Sequence, residues 1–302
     1  MTLNGFKAWL KEKMPDNFRE NELMQNNTSF RIGGPADLFV LPTDFHQLKD
    51  VVTKARLEKI PLTVIGNGSN LLVKDKGIRG VVVKLGNTIK HIVCKEEKII
   101  AEAGASLAAV ANKAAICSLT GLEFAVGIPG SIGGAVFMNA GAYDGEMSKV
   151  VTRVTVLTVD GEIKDLNKEE LNFCYRHSSI QDNGAIVISV EMQLAKGKAD
   201  EILAKMADFT NRRTTKQPLD IPNAGSMFRR PVGHYAGTLI EKAGLKGYTV
   251  GGAQVSTKHA GFVVNMGNAT ADDVLNLISE VQKKVYDYSG VYLEPEVKIL
   301  GE

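Results

Sequence analysis

GIPGSIGGAVFMNAGAYDG, residues 127–145, is the stretch on which the rest of the chain turns. Glycine stands at 127, 130, 133, 134, 141 and 145, and the segment has neither a helical nor a strand period. A run so poor in long side chains makes a weak hydrophobic core, but it lets backbone come close to a flat or phosphorylated ligand. The alternative, a flexible linker, would strand Ile128, Ile132, Val136, Phe137 and Met138 in water. The segment therefore reads as a ligand-lining loop.

Upstream, Gly66-Asn67-Gly68-Ser69-Asn70 follows the apolar run Leu62 to Ile65. Closely spaced glycines at the end of a strand allow backbone N–H groups to converge into a nest for a pyrophosphate. Taken alone, the loop reads equally well as an ordinary tight turn. It is no Rossmann fingerprint, because Leu71 stands where a third glycine would be needed and no clear helix opens there. It is no P-loop either, since neither glycine loop is followed by Gly-Lys-Ser/Thr.

Around these loops the pattern is mixed α+β, with no internal repeat. An amphipathic helix opens the chain, Leu38 to Leu41 reads as a strand, and Thr43 or Asp44 caps a helix with Leu48, Val51, Val52 and Ala55 on one face. Strands are expected at Val81 to Lys84, Ile89 to Val93 and Ile99 to Ala103, the last two joined by a hairpin at Lys95 to Lys98. Ser106 caps a helix expected to run to about Leu119 and to stop at Gly121. Further strands follow at Val150 to Val159 and Ile186 to Leu194, then a helix from Ala199 to Arg213. Beyond the polar stretch RRTTKQPLDIPNAGS, helices are expected at Gly237 to Ala243 and at Thr270 to Tyr288, the latter opening with the capping box Thr270-Ala-Asp-Asp273. The shift in composition sets the main boundary near residue 200. Two domains result, 1–200 and 201–302, the first splitting into α+β subdomains of roughly 1–84 and 85–200. The last strand either closes the second domain or returns to the first.

A chain of 302 residues with 44% hydrophobic and 23% charged residues can bury a substantial core throughout. A net charge of +2 does not suggest a nucleic-acid binder. Cys94, Cys117 and Cys174 contain no C-x-x-C pair and fit reduced thiols. The opening residues lack the pattern of a signal peptide, and no stretch approaches the ~20 apolar residues needed to span a bilayer. The expectation is a cytoplasmic protein with no membrane and no obligate protein partner. His46, His91, His177, His234 and His259 show no metal-ligand spacing, so no metal is expected.

Six segments taken together carry a family resemblance: NTSFRIGGPAD at 27–37, IGNGSNLLV at 65–73, GIPGSIGGAVFMNAGAYDGEM at 127–147, YRHS at 175–178, NAGSMFRRP at 223–231 and LEPEVKILG at 293–301. In fixed order over nearly the whole chain, they resemble the UDP-N-acetylenolpyruvoylglucosamine reductases. The resemblance implies a two-subdomain FAD-binding fold of the vanillyl-alcohol-oxidase type plus a C-terminal α+β substrate-binding domain. It implies reduction of the enolpyruvyl UDP-sugar to UDP-N-acetylmuramate, with NADPH as donor, for peptidoglycan precursor synthesis. Between Ile188 and Arg212 there is no tyrosine and no room for an inserted loop, so the chain is similar to the shorter second type of the family.

The resemblance also implies roles. Gly66, Asn67, Gly68, Ser69 and Asn70 match one FAD-contacting loop, and Gly127, Ile128, Pro129, Gly130, Ser131, Gly133 and Gly134 match the other, followed by Asn139 and Gly141. No histidine lies in either loop, so the FAD is expected to be non-covalent. Arg176 takes the substrate carboxylate, a task suited to a fixed bidentate cation, with Tyr175 beside it. Glu296 matches the catalytic glutamate, whereas Glu294 does not, and Ser226 matches the proton donor. Lys216, Arg229, Arg230 and Lys258 are expected around the phosphates. An oxidase of the same fold is the nearest rival reading, and a non-catalytic nucleotide-sugar binding module is the other.

Overall fold

The computed structural model describes residues 2–86 and 89–302. In the helix Phe45–Leu57, Leu48, Val51, Val52 and Ala55 form the buried face, and the Asp44 carboxylate caps the start by accepting from the Gln47 N–H at 2.9 Å. These four side chains join Leu38, Val40, Val81 and Val83 in one core.

Two compact units divide the chain. The first comprises Met1–Arg19, Leu38–Asn67 and Gly80–Arg212, and the second comprises Glu20–Asp37, Gly68–Arg79 and Arg213–Glu302. In the first, Leu62–Ile65 pairs in parallel with residues 81–84 of the strand Ile78–Lys84. An antiparallel sheet follows in the order Ile163–Asn167, Val151–Leu157, Ile186–Gln193, Lys98–Glu102, Ile92–Lys95. The expected hairpin is there, with Lys95 opposite Lys98. The helices Leu107–Ile116 and Ile132–Phe137 share a core with Val154, Val156, Val190 and Met192 of this sheet.

Three expectations are corrected. The helix capped by Ser106 ends at Ile116, Ser118 turns left-handed at φ 55°, and Leu119–Thr120 pairs with Ala195–Lys196, which buries Leu119 in a strand. The strand expected at Ile89 to Val93 lies at Ile92–Lys95. The glycine-rich segment is more ordered than its lack of period suggests: it holds the helix Ile132–Phe137 and a hairpin of Gly141–Ala142 with Gly145–Glu146, turned by Tyr143 and Asp144 at φ 50° and 62°.

The second unit is built on an antiparallel sheet in the order Asn223–Ser226, Phe262–Asn265, Ala253–Val255, Thr249–Val250. The helix Ala271–Ser289 buries Val274, Leu277, Ile278, Val281 and Val285, and its Thr270–Asp273 capping box is complete. The last strand, Lys298–Leu300, pairs in parallel with Leu71–Val73.

Glu123 is only 4% exposed and anchors the approach to the glycine-rich segment of the first unit. Its carboxylate accepts from the Thr120 hydroxyl and from the Gly121 N–H at 3.0 Å, with the Lys205 ammonium 3.8 Å away. Burial pushes its pKa up, but hydrogen bonds from the Thr120 hydroxyl and the Glu123 and Gly121 backbone, with the Lys205 charge, hold it below the usual carboxylate value. A depressed carboxyl contributes stability above its unfolded-state pKa and loses that contribution as pH falls through its folded value. Glu123→Gln should therefore cost about 1–3 kcal/mol at pH 7, read as a melting temperature lower by a few degrees. The gap between variant and parent should narrow as the pH is lowered below the ordinary carboxylate range. Thermal melts showing the same gap at both pH values would mean that the charge contributes nothing.

Candidate functional site

Within the first unit, Gly66 and Asn67 of the first glycine loop lie against the second loop. A Cβ placed on Gly66 would sit 2.2 Å from Ser131 Oγ, and the Asn67 side-chain amide donates to the Pro129 carbonyl at 3.4 Å. In the first unit, no acceptor for the backbone N–H groups of Gly66, Asn67, Gly127, Gly130 and Ser131 lies among the described residues, and in the second unit the same holds for Gly68, Ser69 and Asn70. Half-buried N–H groups without partners require water or an anion.

The rest of the second loop is already occupied. The Ile128 N–H donates to Ala125 O at 3.1 Å, Ile132 N–H to Ala105 O at 2.8 Å and Gly133 N–H to Ala103 O at 2.9 Å, while Gly134 N–H reaches Ser131 Oγ at 3.4 Å. Asn139 is 2% exposed, and both ends of its amide are engaged: Nδ2 donates to Cys174 O at 3.1 Å and Oδ1 accepts from Ser148 N–H at 2.9 Å. Gly141 allows the hairpin to close, since a Cβ there would lie 2.6 Å from Gly145 O. The amides still open to a ligand are thus fewer than the sequence motif spans.

Arg176 lies on a two-residue turn between Cys174 and His177, whose backbones exchange hydrogen bonds, and it holds a left-handed φ of 58°. Its guanidinium carbon is 5.2 Å from the ring centre of Tyr175, which is 48% exposed. The turn is tied to the end of the helix Ile132–Phe137: Ser178 Oγ donates to Phe137 O at 3.1 Å, and the Gln181 amide donates to Phe137 O at 2.7 Å and to Arg176 O at 3.1 Å.

In the second unit, Asn223 folds its own motif by donating to Pro218 O at 3.0 Å and Ile221 O at 2.8 Å and accepting from Gly225 N–H at 2.9 Å. The register against Phe262–Asn265 shifts between Asn223 and Ser226, with Gly225 at φ 80°, and Ser226 emerges exposed. The segment carrying Glu296 runs alongside: Glu296 N–H donates to Met227 O and Arg229 N–H to Glu294 O, each at 2.8 Å, around the bridge between Phe228 and Pro295. Asn70 also belongs to this unit, and its amide donates to Glu296 O at 3.4 Å.

The cations expected around phosphates are variously placed. Arg229 lies 4.0 Å from the Glu294 carboxylate, Arg230 stacks 4.1 Å over the Tyr235 ring, Lys258 Nζ donates to Thr214 O at 2.8 Å, and Lys216 is exposed at its helix end. Sequence reasoning did not single out Lys298. It is half-buried, and burial lowers its pKa, with the charge of Arg229 lowering it further. Ser178 and Gln181 carried no sequence signal. Among the described residues no group of three or more His, Cys, Asp or Glu is arranged to hold a metal, and no helix is long and apolar enough to cross a membrane.

Comparison with known proteins agrees with this layout. Residues 36–167 match the FAD binding domain family and residues 217–300 match the UDP-N-acetylenolpyruvoylglucosamine reductase, C-terminal domain. The reductase of that name from Syntrophomonas wolfei is 51% identical over 95% of this chain and 96% of its own, and that from Latilactobacillus sakei is 49% identical over 99% of both. The crystal structure of the Thermus caldophilus UDP-N-acetylenolpyruvylglucosamine reductase aligns with a TM-score of 0.82 at 36% identity, covering 94% of this chain and 100% of that one. An alkyldihydroxyacetonephosphate synthase aligns over 65% of this chain and 41% of its own with a TM-score of 0.51 at 14% identity, a likeness of fold alone. The fold is therefore α+β, an FAD-binding fold of the vanillyl-alcohol-oxidase type followed by the C-terminal domain of these reductases. The chain belongs to the UDP-N-acetylenolpyruvoylglucosamine reductase family.

Proposed function

We propose that this chain is an FAD-dependent oxidoreductase that uses NADPH to reduce the enolpyruvyl group of UDP-N-acetylglucosamine enolpyruvate, giving UDP-N-acetylmuramate for peptidoglycan synthesis. The observation that carries the reading is the 51% identity to a reductase of this name over 95% of the chain. The cofactor fits the residues present. In the first unit, the N–H groups of Gly66, Asn67, Gly127, Gly130 and Ser131, which have no acceptor among the described residues, suit the pyrophosphate of FAD. The chemistry FAD supplies when bound is hydride transfer, from NADPH to the terminal carbon of the enolpyruvyl group. NADPH and the UDP-sugar place the reaction in the cytoplasm.

We assign the remaining work to side chains. As hydride reaches the terminal carbon, negative charge grows on the neighbouring carbon and its carboxylate. The planar guanidinium of Arg176 binds that carboxylate, so it stabilises the charge where it develops. Ser226 donates the proton that completes the reduction and is reprotonated from water. A serine hydroxyl is a weak acid, so the step depends on a strongly basic carbon acceptor held close to it. Glu296 acts as the protonated acid or through a bound water, since a bare carboxylate would repel the growing charge. Tyr175, Lys216, Arg229 and Arg230 contact the substrate.

Steady NADPH oxidation that requires the enolpyruvyl UDP-sugar is the direct test. An O₂-consuming oxidase or a binding module would show none. The purified protein should be yellow and release FAD on heating. Gly68→Ala should weaken FAD binding at least about tenfold, ~1.4 kcal/mol, because Gly68 holds φ 67° and an added Cβ would lie 2.2 Å from the Asn27 carbonyl oxygen. Equilibrium FAD titration of the folded apo-variant checks this, and parental affinity would exclude the loop from the cofactor site.

Ser226→Ala separates proton transfer from the hydride steps. Under anaerobic conditions its flavin should bleach with NADPH at a rate within about tenfold of the parent, then regain colour ~10²–10⁴-fold more slowly when the enolpyruvyl UDP-sugar is added. Stopped-flow traces in which both halves slow equally would show that the serine organises the flavin site and donates no proton.

A further inference from the structure

Arginine is disfavoured in the left-handed region, and Arg176 holds φ 58° there, so its turn must be fixed by its surroundings. The helix Ile132–Phe137 ends beside that turn, and the last carbonyls of any helix lack intrahelical partners. Phe137 O is satisfied by Ser178 Oγ at 3.1 Å and by Gln181 Nε2 at 2.7 Å. The same Gln181 nitrogen donates to Arg176 O at 3.1 Å. One primary amide therefore joins the end of the glycine-loop helix to the backbone of Arg176, with Met138 Sδ a third, longer contact of the same nitrogen at 3.9 Å. At its start that helix is docked by the hydrogen bonds of Ile132 and Gly133 to Ala105 and Ala103. Buried Asn139 adds a second tie, from just past the helix to Cys174 O at 3.1 Å.

We propose that Gln181, supported by Asn139, is a positioning residue that fixes the Arg176 guanidinium in the frame of the glycine-rich segment 127–145. The inference rests on the reading of Arg176 as the carboxylate-binding residue. Gln181 touches no reacting atom; it acts through the turn. Its removal leaves the loop amides in place and lets the Arg176 backbone relax toward the right-handed region, which swings the guanidinium off the substrate carboxylate. The loss falls on substrate turnover, and NADPH reduction of the flavin is spared.

The test compares Gln181→Leu and Gln181→Glu, which both remove the donors, with Gln181→Lys, whose ammonium can donate to both carbonyls, and with Ser178→Ala, which removes one bond to Phe137 O and none to Arg176. The holoenzymes are assayed for turnover of the enolpyruvyl UDP-sugar and, by stopped flow, for flavin reduction by NADPH. Gln181→Leu and Gln181→Glu should lose about tenfold to a hundredfold in turnover with flavin reduction unchanged within about twofold. Gln181→Lys should recover most of the loss, and Ser178→Ala should stay near the parent. In an Arg176→Lys background, Gln181→Leu should add less than about twofold, because the group it positions is already gone. Full additivity in that background, a loss from Ser178→Ala equal to that from Gln181→Leu, or parental turnover in both donor-removing variants would overturn the positioning role alone. Parental turnover in Arg176→Lys itself would remove the reading of Arg176, and the inference with it.

Discussion

The hydrogen bonds from Ile132 and Gly133 N–H to the carbonyls of Ala105 and Ala103 hold the functional face of the first unit together. They dock the start of a six-residue helix at the end of the strand Lys98–Glu102, and no helix that short would persist without such support. The approach is close: a Cβ on Gly133 would lie 3.0 Å from Ala103 Cβ, and Leu107 N–H in turn donates to Gly130 O at 3.0 Å. The glycines of this loop serve two ends. Some let backbone pack on backbone, and others leave N–H groups open for an anion. With the helix fixed, its far end at Phe137 becomes a fixed point for the turn that carries Arg176.

The second unit meets the same problem by different means. Ser226 and Glu296 lie on segments seventy residues apart in sequence, and the backbone bonds at Met227 and Arg229 set those segments side by side. Asn70 binds the Glu296 carbonyl through its side chain and accepts from the Lys298 N–H through its own carbonyl at 3.0 Å. The first glycine loop is thus tied by its last residue to the glutamate segment. Lys298 is half-buried near that segment, and its burial, with the charge of Arg229 second, lowers its pKa.

The sequence made visible whatever depends on local period or local caps. The four buried positions of the helix Phe45–Leu57 follow from its apolar spacing, and the Thr270–Asp273 box from its spacing and residue types. What depends on distant partners stayed hidden. Ile163–Asn167 is exposed at four of its five positions and reads as polar coil until Val151–Leu157 is found beside it. Leu119 has the apolar character that would extend its helix, yet pairing with Lys196 draws it into a strand. Residues 20–37 and 68–79 group in space with the C-terminal segment, an interleaving that a single compositional shift near residue 200 cannot express. The glycine motif did not tell which amides of its loops were already bonded.

A division of labour runs through the site residues. Asn139, Ser178 and Ala103 are buried at 2%, 0% and 1% exposure, and Asn139 and Ser178 bond to backbone carbonyls. Tyr175, Lys216, Ser226 and Arg230, all given substrate work, are exposed. A group that must bind and release a ligand cannot be buried among its own protein's partners, because its hydrogen-bonding capacity would then be used before the ligand arrives. A group that must set geometry has the opposite requirement, since a side chain whose hydrogen bonds are already made within the protein is held more rigidly than a solvated one. Asn139 shows why sequence alone assigned it to the cofactor: it lies in the motif, but its amide is turned inward and both ends are engaged. Position in a motif marks where precision is needed. Burial and bonding then separate side chains whose hydrogen-bonding groups are engaged within the protein from those left exposed.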